Sequence, residues 1–372
     1  MNMMPRLASH ERGGLPKSAY FDPAVFEAEK EQLFRRYWQL ACHASDVAQP
    51  GDWFTFDIVG ERALILRGRD GVIRAFHNVC RHRGSRVASG ERGTCKSALV
   101  CPFHGWSYNL DGTLRAVPQA KTFPKLDPVE HGLAVLESEV WQGFVFVRFK
   151  PGPQPSIADI MAPHAAEFAG YGMADLVSYK GFTHDEMPVN WKAVRDVDNE
   201  GYHVPVAHPA LHELYGTAYH DGAWSNGVSR SEGRIERNNT ALWSVRNYLK
   251  HRPLRADLPA ESRSSWVYFG LFPNLVFTLY PELIGFYQEI PLSVDRTVQR
   301  MSYYQPQGGS REDLAARALA HRIDRITGVE DTQLIQWSWE SMQSSGFRGI
   351  ILSDLEAGVR GWHDQYRGVM GG

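Results

Sequence analysis

The chain has 372 residues, 43% hydrophobic and 22% charged, which excludes disorder, a fibrous repeat and a coiled coil and leaves room for two to three domains at roughly 150 residues each. Lys and Arg total 40 against 42 Asp and Glu, a formal charge of −2, so there is no basic excess to hold a nucleic acid or an anionic membrane. Four cysteines cannot frame a disulfide scaffold, Arg, Glu and Lys interrupt the start of the chain before a signal-peptide core can form, and no apolar run reaches the roughly 18 residues of a membrane helix. The expectation is a cytoplasmic protein.

In chain order, residues 22–41 space Val25, Phe26, Leu33, Phe34, Trp38 and Leu40 at three- and four-residue steps behind Asp22 and Pro23, predicting an amphipathic helix. Short strands are predicted over 53–59, 62–68 and 72–79, with an Arg-Asp-Gly turn at 69–71, and β-rich sequence continues through 133–149. KPGPQPS at 150–156 holds three prolines and marks a boundary. Helical sequence follows over 157–172, a helix begins at Asn190, strands are predicted over 266–272, 275–280, 285–292 and 297–305, and helices over 310–345 and 351–367. Ser310 with Asp313 makes a capping-box-like start for the first of these two helices. The reading is an α+β chain in three parts: a helical segment at 1–40 packing with the last domain, a small all-β domain at 41–150, and a larger domain at 151–372 with an antiparallel sheet covered by helices.

Chemistry concentrates in two places. Residues 78–86 read NVCRHRGSR and residues 99–112 read LVCPFHGWSYNLDG, so Cys80, His82, Cys101 and His104 lie on two loops between short strands. Four such ligands can hold a tetrahedral zinc or an iron–sulfur centre, but zinc ribbons usually offer C-x-x-C knuckles, whereas one Cys and one His per loop suits two thiolates on one iron and two imidazoles on the other. Gly84 and Gly105 are placed to turn each loop tightly and to aim N–H groups at bridging sulfides. Pro102 and Trp106 would stiffen and cover the loop, and Ser107 and Tyr108 could donate hydrogen bonds that raise the potential. Cys42 and Cys95 read as core residues. The CRHRG and CPFHGW loops resemble a Rieske two-iron two-sulfur domain.

The second place is residues 190–211, NWKAVRDVDNEGYHVPVAHPAL. Two imidazoles and one acid leave half of an iron's coordination open. His203 and His208 would lie roughly 140° apart on an unbroken helix, so Pro205 between them is expected to kink it and bring the rings together. His208 with His212 is a weaker, zinc-like i, i+4 pair.

A Rieske domain followed by NWK and H-x4-H is similar to the α subunit of the Rieske non-haem iron oxygenases over nearly the whole chain. The resemblance implies a helix-grip, START-like catalytic domain, a 2Fe–2S cluster and a mononuclear Fe(II). It also implies electrons from NAD(P)H through a separate reductase or ferredoxin, O2 and a small organic molecule as substrates, and a homotrimer. It makes His203 and His208 iron ligands with Asp331 as the third, Glu330 and Asp324 remaining alternatives. It makes Glu200 the carboxylate that links a ligand histidine to a Rieske histidine of a neighbouring subunit, with Asp196 and Asp198 as rivals. Glu at that position is similar to members acting on quaternary ammonium compounds such as carnitine or choline. The pocket is expected along Trp266, Phe269, Leu275, Phe277, Tyr280, Phe286 and Tyr287, and from Leu211 to Gly216. Family breadth puts hydroxylation or dihydroxylation of an aromatic substrate first and oxidation or demethylation of a quaternary amine second. A Rieske protein that only shuttles electrons is the reading from another class.

Overall fold

The computed structural model describes residues 13–235, 240–252, 255, 258–260 and 262–371, so the first twelve residues of the helical segment lie outside it. The described residues form two compact units: one from 34–159 and 173–177, the other from those within 1–33, 160–172 and 178–372.

The smaller unit is built from three antiparallel sheets. One runs Ile73–His77, Glu61–Arg67, Asp52–Ile58, Arg92–Thr94; another joins Leu99–Val100, Ser107–Tyr108 and Leu114–Ala116; the third joins Gln39–His43, Phe144–Arg148 and Glu137–Trp141. The last of these corrects the helix expected over 22–41. Asp22 does cap, accepting from the amide of Ala24 at 2.8 Å, but the helix Pro23–Glu29 passes into a π-helical turn at Lys30–Phe34 and stops. Gln39–His43 is a strand with all five residues buried. A short, wholly buried run shows no polar alternation, so periodicity cannot separate it from helix.

The larger unit centres on a seven-stranded antiparallel sheet in the order Val177–Met187, Arg296–Gln305, Ile284–Ser293, Leu275–Leu279, Ser265–Leu271, Val228–Arg234, Tyr219–His220. The four strands foreseen over 266–305 form consecutive hairpins in register, Phe269 opposite Phe277 and Phe277 opposite Phe286. Val177–Met187 and Val228–Arg234 went unforeseen because VSYKGFTHDEM and VSRSEGR are mostly polar and half-buried. Helix Arg311–Met342 covers the sheet and opens with the expected capping box of Ser310 and Asp313. These elements make the mixed α+β organisation that the sequence indicates.

The NWK triplet explains how helix Trp191–Asp198 is fixed. Asn190 caps it, accepting from the Lys192 amide at 3.0 Å, and its own side-chain amide donates to the carbonyl of Val294 at 2.7 Å. Trp191 Nε1 and Lys192 Nζ both donate to the Glu29 carboxylate, at 2.9 and 2.5 Å, and the Tyr366 hydroxyl donates to it at 2.5 Å. Lys192 and Glu29 are fully buried, so the pair is stable only because three donors satisfy the carboxylate. Lys192→Met is expected to cost about 3–5 kcal/mol in urea denaturation by stranding Glu29, and the double variant with Glu29→Gln to recover most of that loss.

Candidate metal centres

In the smaller unit the two ligand loops are near duplicates. The Gly84 amide donates to the Cys80 carbonyl at 2.9 Å and the Gly105 amide to the Cys101 carbonyl at 3.0 Å, and both glycines sit at φ +74°, where a side chain is strained. Each cysteine amide then closes its loop, Cys80 onto the carbonyl of Ser85 at 2.7 Å and Cys101 onto that of Trp106 at 2.8 Å. The two glycine N–H groups therefore hold the loops shut and are not aimed outward at sulfides.

The thiols of Cys80 and Cys101 are neighbours, and burial pushes the Cys80 thiol up while the Tyr108 hydroxyl at 3.2 Å favours its thiolate. The rings of His82 and His104 meet with centroids 4.6 Å apart, and Trp106 stacks on His82 at 5.1 Å. The Tyr108 hydroxyl thus pairs with the Cys80 sulfur, whereas the Ser107 hydroxyl donates to the Ala116 carbonyl and Pro102 is exposed. Among the described residues, the one group of three or more His, Cys, Asp or Glu side chains with donor atoms all within 4.8 Å of one another lies elsewhere. Cys80, Cys101, His82 and His104 therefore do not surround one point, which disfavours a single tetrahedral zinc and suits a two-metal cluster. Cys42 is buried in its strand, and the Cys95 thiol meets the Gly51 carbonyl at 3.4 Å.

That one group is His203, His208 and Asp331, in the larger unit. Helix Trp191–Asp198 ends before it, His203 begins the short helix Val204–Ala207, and His208 falls at a break with φ −120° and ψ 83° before helix Pro209–Tyr215. The break is Pro209's doing, since a residue before proline is forced out of helical geometry. Pro205, expected to kink the chain, instead occupies a first turn, where its missing N–H costs nothing. Asp331 comes from helix Arg311–Met342.

His203 Nε2 lies 3.0 Å from His208 Nε2 and 3.4 Å from Asp331 Oδ1, and His208 Nε2 lies 2.9 Å from that oxygen. The far nitrogens are taken: Nδ1 of His203 meets Glu200 at 2.5 Å and Nδ1 of His208 meets Glu330 at 2.9 Å. Each carboxylate favours a proton on its ring's Nδ1, which turns Nε2 toward the Asp331 oxygen; burial lowers both histidines, but Asp331 with Glu200 and Glu330 outweighs it, pushing His203 up to about 10 and His208 upward. Once those protons leave, three converging lone pairs repel one another unless a metal cation sits among them. Donors about 2.1 Å from a metal and at right angles to each other lie about 3 Å apart, so this spacing suits one face of an octahedron.

The alternative residues are accounted for. Glu330 orients His208 from outside the triad, and Asp324 accepts the hydroxyls of Tyr280, at 2.5 Å, and Tyr303. Asp196 is held by Tyr20 at 2.5 Å and His363 at 2.7 Å, and Asp198 accepts from Gln299 at 3.1 Å. Among the described residues, His212 joins no such metal-binding group.

A cavity of about 100 Å³ adjoins the triad. Of the wall expected from the sequence it uses Tyr287 and Leu211; Tyr268, Tyr219, Gln299 and Met301 complete much of the rest. Phe269, Phe277 and Phe286 point through the other face of the sheet, where Phe168 meets Phe269 at 4.9 Å and Phe277 at 5.5 Å. Successive strand residues face opposite ways, so Tyr268 and Tyr287 enter the cavity where their phenylalanine neighbours cannot.

Comparison with known proteins matches residues 37–130 to the Rieske [2Fe-2S] domain and residues 173–372, more than half of the chain, to the ring hydroxylating alpha subunit (catalytic domain). The chain belongs to the Rieske ring-hydroxylating oxygenase α subunits. The oxygenase is 29% identical over 343 residues to the carnitine monooxygenase oxygenase subunit of Escherichia coli (strain K12), covering 90% of this chain and 86% of that one. It is 34% identical over 213 residues to the chloroplastic choline monooxygenase of Spinacia oleracea, covering 55% of this chain and 47% of that one. Its fold matches a quaternary ammonium Rieske monooxygenase solved with L-carnitine, at TM-score 0.79 and 24% identity over 99% of this chain and 100% of the other. The enzyme is therefore an oxidoreductase whose cofactors are a Rieske 2Fe–2S cluster and a mononuclear non-haem iron, served indirectly by NAD(P)H. Among the described residues, no helix is long and apolar enough to cross a membrane.

Two measurements probe these centres. Asp331→Ala is expected to lower iron from about three to about two per chain with two sulfides retained, by metal and sulfide analysis. Tyr108→Phe removes one hydrogen bond from a cluster thiolate, worth about 1–1.5 kcal/mol, and should lower the cluster potential by about 40–60 mV in a redox titration.

Proposed function

We propose that this chain is the terminal oxygenase of a system that oxidises a small quaternary ammonium compound, by hydroxylation or the demethylation that follows it. Electrons would come from NAD(P)H through a separate reductase or ferredoxin. The observation that carries the reading is the cavity, where Tyr219, Tyr268 and Tyr287 stand with Asp324 beside the triad. Tyrosine faces attract a trimethylammonium group, and Asp324 has both oxygens hydrogen-bonded by tyrosines but no Lys or Arg bonded to it among the described residues. An aromatic hydrocarbon would bring no charge to that acid. The names of the two relatives above support the same order, so the aromatic reading moves to second place.

We assign Cys80, His82, Cys101 and His104 to the cluster and His203, His208 and Asp331 to the iron. Iron held there supplies the open coordination and redox chemistry that dioxygen activation needs. The chain's own part is positional. Glu200 and Glu330 orient the two imidazoles through their Nδ1 atoms, and Trp106 covers His82. Glu200 lies close in sequence to exposed Tyr202 and Val206, while the smaller unit exposes Phe103 and His104. Two such patches on one chain suit head-to-tail association, and a closed ring of three copies is the assembly we infer.

The role of Glu200 is tested by Glu200→Gln, which should keep both metals bound yet abolish substrate-coupled oxygen uptake; full activity in that variant rejects it. The substrate class is tested by oxygen and NADH consumption with a reductase, comparing trimethylammonium compounds with benzoate and naphthalene. Coupled turnover by the aromatic compounds alone overturns the proposal.

A further inference from the structure

The hydrogen-bonding character of the cavity goes further than its affinity for a cation. Thr327 and Thr332 line it, and each spends its hydroxyl proton on its own helix, on the carbonyls of Ile323 at 3.1 Å and Gly328 at 2.7 Å. What they turn to a ligand are oxygen lone pairs. Gln299 gives an amide hydrogen to Asp198 at 3.1 Å, which leaves its carbonyl as an acceptor and one amide hydrogen. Tyr287 and Tyr268 bring neutral hydroxyls from the sheet. Asp198 and Asp324 add carboxyl groups to the same walls, and no Lys or Arg lines the cavity among the described residues.

We propose that this cavity selects small quaternary ammonium cations whose other end is an alcohol and rejects those that end in a carboxylate. This rests on the quaternary ammonium reading above and narrows it. An alcohol has a proton to give to Thr327, Thr332 or Gln299 and a lone pair to take the proton of Tyr287, so both halves of its hydrogen-bonding capacity are met. A carboxylate has only lone pairs. It would face hydroxyl oxygens whose protons are committed and a wall with no Lys or Arg among the described residues, after losing a hydration shell worth several kcal/mol. Neutral donors such as those on Tyr287 and Gln299 supply no countercharge.

A matched pair of probes isolates this difference: (2-hydroxyethyl)trimethylammonium and (carboxymethyl)trimethylammonium share the cationic head and differ in the alcohol against the carboxylate. Titration calorimetry on the metal-loaded holoenzyme should show the alcohol binding at least about tenfold more tightly. Equal or tighter binding of the carboxylate overturns the selection while leaving the quaternary ammonium reading intact. Failure of both probes and of tetramethylammonium to bind removes that reading and the selection with it. Gln299→Lys places a countercharge in the wall and should tighten the carboxylate by about tenfold relative to the alcohol. An unchanged ratio in a folded, metal-loaded variant also overturns the proposal.

Discussion

Two histidine lone pairs and a carboxylate oxygen face one another at 2.9 to 3.4 Å, and most of the larger unit can be understood as the means of keeping them there. Left to themselves these groups would separate or take up protons. They are held by covalent and packing constraints that lie outside the triad: Pro209 sets the backbone at His208, helix Arg311–Met342 carries both Asp331 and the Glu330 that orients His208, and Glu200 orients His203. The protein has used folding free energy to assemble a site in which a metal cation can take the place of protons.

The same economy runs through the cavity. Tyr280 and Tyr303 commit their hydroxyls to Asp324, and Tyr215 pairs with Tyr268 at 2.8 Å, so polar groups that would be costly in a β-sheet core are matched with each other. What remains for a ligand is a short and uneven set of contacts. Aromatic faces and acids dominate it, and this decides what can bind more than cavity size does.

Legibility in the sequence followed how local each constraint is. The two Cys/His loops could be picked out because each pairs a Cys and a His within four residues, with a glycine fixing the turn. His203 and His208 were legible as a pair, but the proline responsible for their convergence is the one after His208, not the one between them. Asp331 was accessible only through the Glu-Asp doublet, because nothing local shows that residues 208 and 331 meet. The aromatic wall was misread for a reason of phase: 268 and 269, or 286 and 287, are equally aromatic, and only the register of the sheet says which enters the cavity. Gln39–His43 and Val177–Met187 failed for opposite reasons, one too uniformly apolar and the other too polar to show a period.

The buried Glu29 has a consequence for how the chain is made. Its partners Trp191, Lys192 and Tyr366 come from two later helices, the last of them 337 residues further along. During synthesis the smaller unit, almost wholly contained in residues 34–159, emerges while Glu29 is still without them. The iron-binding unit is therefore the last to close: its first-made helices must wait in water through the making of an entire second unit, and Glu29 gains its final partner only when the final helix arrives.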